Sequence, residues 1–232
     1  MSAQRLAENI ASVRHRIEES AQRAGRLDGD VKLIAVTKYV DERIALELLA
    51  AGCHDLAESR PQELWRKAEA IQRPDVRWHL IGHLQRNKVR RTLPLVSLVH
   101  SGDSLRLLEE LNSQARSAGI SLPVLLEVNT SGDETKHGFH PPQIDENFCQ
   151  AIQLTHLEIK GLMTMASREG DLDCARQEFR QLRQLRDRLQ LAHPNGPVLK
   201  ELSMGMSGDF EVAIEEGATM VRVGSALFEG IT

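Results

Sequence analysis

The chain is 232 residues long with 41% hydrophobic and 27% charged residues, enough for a sizeable core in one α/β barrel domain, and this excludes disorder or a collagen-like fibre. Aromatics are only 3% and the formal net charge is −4, so neither a base-stacking platform nor a global field for nucleic acid or an acidic membrane is available. The N-terminus is charged every few residues and no run approaches a membrane span, while Cys53, Cys149 and Cys174 read as small core residues of a reducing compartment, which together predict a cytoplasmic protein without a membrane segment.

Leu6, Ile10, Val13 and Ile17 recur at helical spacing and predict an amphipathic helix over about residues 3–25. VKLIAVTKYV follows, apolar on both faces like a buried parallel strand, and is expected to end near Lys38. The alternation then repeats. A helix runs from Glu42 to about Ala51, HDLAE is a strand, and Pro61 opens a helix toward Gln72. RWHLIG is the third strand, a basic helix starts at Arg86, and VSLVHS is the fourth strand. The spacing of Leu105, Leu108, Leu111 and Ala115 predicts a helix ending at Gly119, before the strand LPVLLEVN. Pro141 and Pro142 start a helix reaching about Leu154, and LEIKGLM is the sixth strand. Ala175, Phe179, Leu182, Leu185 and Leu189 stripe a long helix, followed by the strand LKELSMG, a short helix from Gly208 to Gly217, and the strand TMVRVGS.

Eight strands separated by seven helices, without a long linker, predict an α/β fold: a single (β/α)₈ barrel, or TIM barrel, over residues 1–232. A doubly wound sheet is the runner-up, but no G-x-G-x-x-G follows the first strand, which leads into Thr37-Lys38. Few residues follow Gly224, so the N-terminal helix is expected to cover the seam between the eighth and first strands.

Barrel active sites lie at the C-terminal strand ends. Lys38 follows Leu33-Ile34-Ala35-Val36; between apolar walls its amine would be desolvated and suited to a Schiff base, whereas the alternative is a lysine reaching to water. Arg222 within Met220-Val221-Arg222-Val223 is costly to bury without a partner. That partner is either a bound heteroaromatic acceptor or a structural ion pair with Glu127 or Glu201. Ser203-Met204-Gly205-Met206-Ser207-Gly208 and Gly224-Ser225-Ala226 offer hydroxyls and backbone N–H groups where barrels commonly bind phosphate. An amine for an aldehyde, a cation for a ring nitrogen and a phosphate cradle together match pyridoxal 5′-phosphate. His79, His83 and His100 lack carboxylate or cysteine partners at metal spacing, so no metal is expected. The basic stretch Arg86, Lys88, Arg90 and Arg91, and the arginines from Arg176 to Arg188, read as solvated helix faces.

The segments LIAVTKYV, WHLIGHLQRNK, LEVNTSGDETKHGF, KGLMTM and the stretch from Leu202 to Gly230 resemble the pyridoxal phosphate homeostasis protein family over nearly the whole chain. That family's fold resembles the barrel domain of alanine racemase. The resemblance implies that Lys38 holds pyridoxal phosphate covalently, that Arg222 faces the pyridine nitrogen, and that Ser207, Gly224 and Ser225 hold the phosphate. Ala57-Glu58-Ser59 stands where the family shows glycine-glutamate-asparagine, which leaves Ser59 as a shorter candidate contact. A second departure is Glu229-Gly230 at the tail.

Three functional classes remain. A protein that buffers or delivers the cofactor to apo-enzymes, acting as a monomer without robust catalysis, is favoured. A weakly active amino-acid racemase is the alternative, but two-base racemisation needs a second proton carrier. The racemase family takes a tyrosine for this from a separate domain and a partner subunit. The only tyrosine here, Tyr39, adjoins Lys38 and points away from it if the strand continues. A Schiff-base aldolase without the cofactor is the third class, and it gives Arg222 no aromatic partner.

Overall fold

The computed structural model describes residues 2–133, 135–167 and 169–231. The short apolar runs become strands β1 Lys32–Val36, β2 Asp55–Glu58, β3 Arg77–Leu80, β4 Leu98–Gly102, β5 Leu122–Glu127, β6 Leu157–Met163, β7 Glu201–Ser203 and β8 Met220–Val223. Each pairs in parallel with the next, and β8 pairs back onto β1 with Ile34 opposite Arg222 and Ala35 opposite Val223, which closes the barrel. Because side chains alternate across a strand, one set faces the lumen and the other the surrounding helices. Ile34, Val36, Ala57, Leu98, Leu125, Met163 and Met220 form a buried cluster of their own, separate from the larger core under the helices.

The helices are α1 Ser2–Arg23, α2 Glu42–Ala50, α3 Pro61–Ile71, α4 Val89–Thr92, α5 Leu105–Ala118, α6 Ile144–Ala151, α7 Leu172–Ala192 and α8 Phe210–Glu215. Their starts are chemically marked. Asp41, Ser104 and Asp171 accept from the amides of Ile44, Leu107 and Cys174 as N-caps, and Pro61 opens α3. The α1 stripe Leu6, Ile10, Val13 and Ile17 is buried. On its flanks, Asn9 donates to the carbonyls of Leu227 and Glu229, Arg16 pairs with Glu211, and Arg26 donates to Ala218 at 2.6 Å. The N-terminal helix thus lies beside α8 and the chain's last turn, over the β8–β1 seam.

Several local expectations need correction. The strands stop earlier: β1 ends at Val36, because Val40 N–H donates to the Thr37 carbonyl at 3.0 Å and turns the chain, placing Lys38 in that turn. The basic helix is broken into a 3₁₀ turn at Arg86–Lys88, α4, and a second 3₁₀ turn at Leu93–Leu95 containing Pro94. Its arginines are not simply solvated, since Arg91 lies over the Trp65 ring at 4.4 Å and reaches Glu69. Nor are those of α7, where Arg176, Arg180 and Arg183 converge on the buried Glu216 carboxylate and clamp α7 to α8. Of the cysteines only Cys53 is buried; Cys149 is exposed and Cys174 half-buried.

Candidate functional site

The β1–β8 seam gathers most of the sequence candidates at one end of the barrel. Val36 is level with Gly224, where a Cβ would come within 3.3 Å of the Val36 carbonyl, so the two backbones approach closely. Lys38 lies two residues past Val36. The expected apolar walls are not there: Lys38 is exposed, because the turn carries it clear of the strand. Tyr39 does not point away either, since the Lys38 ammonium lies 4.8 Å from its ring centroid.

The turn before Lys38 is fastened from beneath. Lys67 of α3, fully buried, donates to the Thr37 carbonyl at 2.6 Å and to Glu58 Oε1 at 2.6 Å, and the Thr37 hydroxyl donates to that same Glu58 oxygen. A buried pair of this kind fixes geometry more surely than it adds stability. Glu58 Oε2 is buried and has no hydrogen-bond partner among the described residues. Sequence reasoning missed Lys67, which sits among Arg66 and Glu69 like any solvated helix lysine. Ser59, just past β2, is half-buried, and its carbonyl approaches Gly82 so closely that a Cβ there would come within 2.2 Å of it. Only glycine fits at that point of WHLIGH. Ser59 therefore stands at the end of β2, the neighbour of β1, on its β3 side rather than with Ser207 and Gly224.

Arg222 is buried at 3% exposure, and both hydrogen bonds from its guanidinium end on neutral acceptors: Ser203 Oγ at 2.7 Å and the Thr164 carbonyl at 2.8 Å. The ion-pair alternative is not what forms. Glu201 instead accepts from the Thr219 hydroxyl, while Asp209 and Glu127 act on Arg222 through space. Burial lowers the Arg222 pKa to about 10, against the pull of those two carboxylates, so it stays cationic at neutral pH. Burial likewise pushes Glu127 up to about 7, helped by Asp103 and opposed by Arg222.

Ser207 Oγ accepts from the amides of Gly224 at 3.1 Å and Ala226 at 3.4 Å, so two N–H groups converge on one oxygen beside the seam. Ser225 is exposed on the same turn. An amine, a buried cation with neutral partners, and converging amides over an apolar lumen suit an aromatic aldehyde that carries a phosphate.

The expectation that the histidines lack carboxylate partners is corrected. His79 Nε2 lies 3.0 Å from Asp55, and His83 Nδ1 lies 2.6 Å from Asp103, which also has His137 Nδ1 at 3.9 Å. These partners come from neighbouring strands and loops, and no sequence spacing exposes them.

The family described as alanine racemase, N-terminal domain, matches residues 8–231. The pyridoxal phosphate homeostasis protein of Aquifex aeolicus is 41% identical over 221 residues, covering 95% of this chain and 96% of that one. Its counterpart in Escherichia coli K12 is 33% identical over 226 residues, covering 96% and 95%. Among solved structures, PipY of Synechococcus elongatus with pyridoxal phosphate bound superposes with a TM-score of 0.85 at 36% identity, covering 96% of this chain and 99% of that one. Alanine racemase of Clostridium difficile shares the fold at a TM-score of 0.76 and 17% identity, and this chain covers 56% of its length.

Proposed function

This chain belongs to the pyridoxal phosphate homeostasis protein family, and from that premise we propose that it binds pyridoxal 5′-phosphate at the β1–β8 seam and serves to hold and deliver it. The observation that carries this reading is Arg222: a buried guanidinium bonded, among the described residues, only to neutral oxygens, in register with the strand that leads to Lys38. Bound there, the cofactor supplies a reactive aldehyde and a conjugated ring. Lys38 is the attachment point, as a Schiff base, and its exposure keeps it within reach of exchange. Arg222 would meet the pyridine nitrogen, the Ser207, Gly224 and Ser225 turn would take the phosphate, and Ser59 would approach from the end of β2 beside β1.

Two features support holding over turnover. A cation beside the pyridine nitrogen disfavours its protonation and weakens the ring as an electron sink. The single tyrosine is 86% exposed and packs beside the Lys38 amine, not across the site from it, so it is not placed as the opposed acid of two-base chemistry. The partners that follow are pyridoxal phosphate and the apo-enzymes receiving it. No described helix is long and apolar enough to cross a membrane.

Titrating the protein with pyridoxal phosphate while recording absorption tests the reading. The wild type should develop a band distinct from free cofactor, and Lys38→Ala should lose that band while keeping weaker, non-covalent binding. A wild type whose added cofactor keeps the free spectrum would overturn it.

A further inference from the structure

The barrel lumen holds a continuous line of hydrogen bonds that starts at Arg222 and ends at the opposite end of the barrel. Arg222 meets Ser203 Oγ at 2.7 Å, Ser203 Oγ meets His100 Nδ1 at 2.8 Å, and His100 Nε2 meets His79 Nδ1 at 2.8 Å. His79 Nε2 meets Asp55 Oδ1 at 3.0 Å, and Arg77 closes the line with bonds of 2.8 and 2.6 Å to the two Asp55 oxygens. Five strands contribute, and Ser203, His100, His79 and Asp55 are all buried. Asp55 and Arg77 line a cavity of about 270 Å³ at the N-terminal end of the barrel.

The donors fix the direction of this line. A guanidinium can only donate, so Ser203 Oγ accepts from Arg222, and among the described residues His100 Nδ1 is the acceptor within reach of its own hydrogen. His100 Nδ1 is then unprotonated, and the neutral ring carries its proton on Nε2, which it gives to His79 Nδ1. His79 in turn carries its proton on Nε2 and gives it to the Asp55 carboxylate. From Arg222 to Asp55 every hydrogen points away from Arg222, and Arg77 donates to Asp55 from the other end. If the imidazole pair took up one more proton, His100 would donate to Ser203 from the other side. The Ser203 hydroxyl hydrogen would then be left facing Arg222 with no acceptor, in a site where unmade hydrogen bonds are expensive.

We propose that Ser203, His100 and His79 are positioning residues for Arg222, forming a one-way relay anchored on Asp55 that holds the guanidinium in its orientation toward the cofactor ring. This rests on the proposed function, since Arg222 is the ring-nitrogen contact in that reading. Around His100, Lys32 of β1 and Arg222 of β8 oppose an added charge and Asp55 of β2 favours one, while Arg77 of β3 pairs with Asp55. Glu127 of β5 and Asp209 before α8 act at the Arg222 end. Burial, together with the charges of Arg222 and Lys32, holds His100 well below the usual imidazole range.

Two measurements test the relay. The first is nitrogen-15 NMR of histidine-labelled wild-type protein without added cofactor. It should show the Nε2–H form at both His79 and His100, with His100 unchanged from about pH 8 to about pH 6. An Nδ1–H form at His100, or a second proton on His100 in that range, would overturn the relay. The second compares variants in cofactor binding. Ser203→Ala and His100→Leu break the line and should weaken the hold on pyridoxal phosphate roughly tenfold or more, altering the pH profile of the bound cofactor's absorption. His100→Gln and Ser203→Thr preserve the donor and acceptor order and should keep the wild-type profile. A His100→Leu profile superimposable on that of the wild type would reduce the line to a packing feature. A wild type that takes up no pyridoxal phosphate would sink the proposed function instead, while the NMR result would still decide the relay.

Discussion

Arg222 is the residue whose surroundings set the chemistry of the site. Its burial is compensated by a hydroxyl, a carbonyl and two carboxylates acting through space, so replacing the guanidinium by an anion reverses the local field. Arg222→Glu should shift the absorption of bound pyridoxal phosphate and its pH dependence, read by spectrophotometric titration; an unchanged titration would leave Arg222 with a structural role only. Glu127 gives a second residue-scale expectation. Its folded-state pKa of about 7 stands above its ordinary carboxylate value, so the folded protein binds a proton more tightly than the unfolded chain. The stability linked to that proton is complete below the unfolded pKa and is lost as pH rises through about 7. Glu127→Gln keeps a neutral side chain at every pH, so its melting temperature should gain on the wild type between acidic pH and about pH 8. Parallel melting curves across that range would show that Glu127 does not titrate in this way.

The α3 helix and the β1 turn form the element on which Lys38 depends. Removing one member of a buried pair strands the other charge, so Lys67→Met should destabilise the fold by about 3–5 kcal/mol in chemical denaturation. The double variant Lys67→Met with Glu58→Gln should recover part of that loss. Equal losses in the single and double variants would show that the pair is not the clamp it looks to be. At the β8–β1 seam, α1 supplies Leu6, Ile10, Val13 and Ile17 to the core and Asn9 to the Leu227 and Glu229 carbonyls. Deleting residues 1–25 should therefore lower the melting temperature of the whole barrel cooperatively, and an unaltered melt would refute this packing. These elements also show what sequence can and cannot disclose. The existence and order of the strands follow from short apolar runs bounded by turn residues, and the core stripe of α1 from its spacing. The strand ends do not: Thr37 and Lys38 read as a continuation of β1 because a local hydrogen bond, invisible in composition, turns the chain at Thr37. The Lys67 clamp was hidden for a related reason, since its partners lie on another strand and in another loop.

At the scale of the whole molecule, the barrel divides its lumen between an apolar cluster and a polar line from Arg222 to Arg77. The candidates Lys38, Arg222, Ser207 and Gly224 could be read in advance because each stands at a strand end within a recognisable segment. The line could not, because its members come from five strands that only barrel closure brings together. The same architecture bears on turnover. With Arg222 proposed as the ring-nitrogen contact and no tyrosine opposite Lys38, the protein should not exchange the α-hydrogen of L- or D-amino acids, alanine included, at the about 1–10³ s⁻¹ typical of enzymes. Solvent deuterium incorporation followed by mass spectrometry, with Lys38→Ala as the blank, measures this; exchange on that scale, absent from the blank, would make the chain an enzyme. Transfer of pyridoxal phosphate to an apo-enzyme without such exchange is the behaviour of a carrier. The central claim, that the cofactor is held on the β1 turn, is met most directly by borohydride reduction of the cofactor-loaded protein and peptide mass mapping. The account predicts a pyridoxyl label on Lys38 alone, and a label on Lys88 or Lys136 with Lys38 unmodified would contradict it.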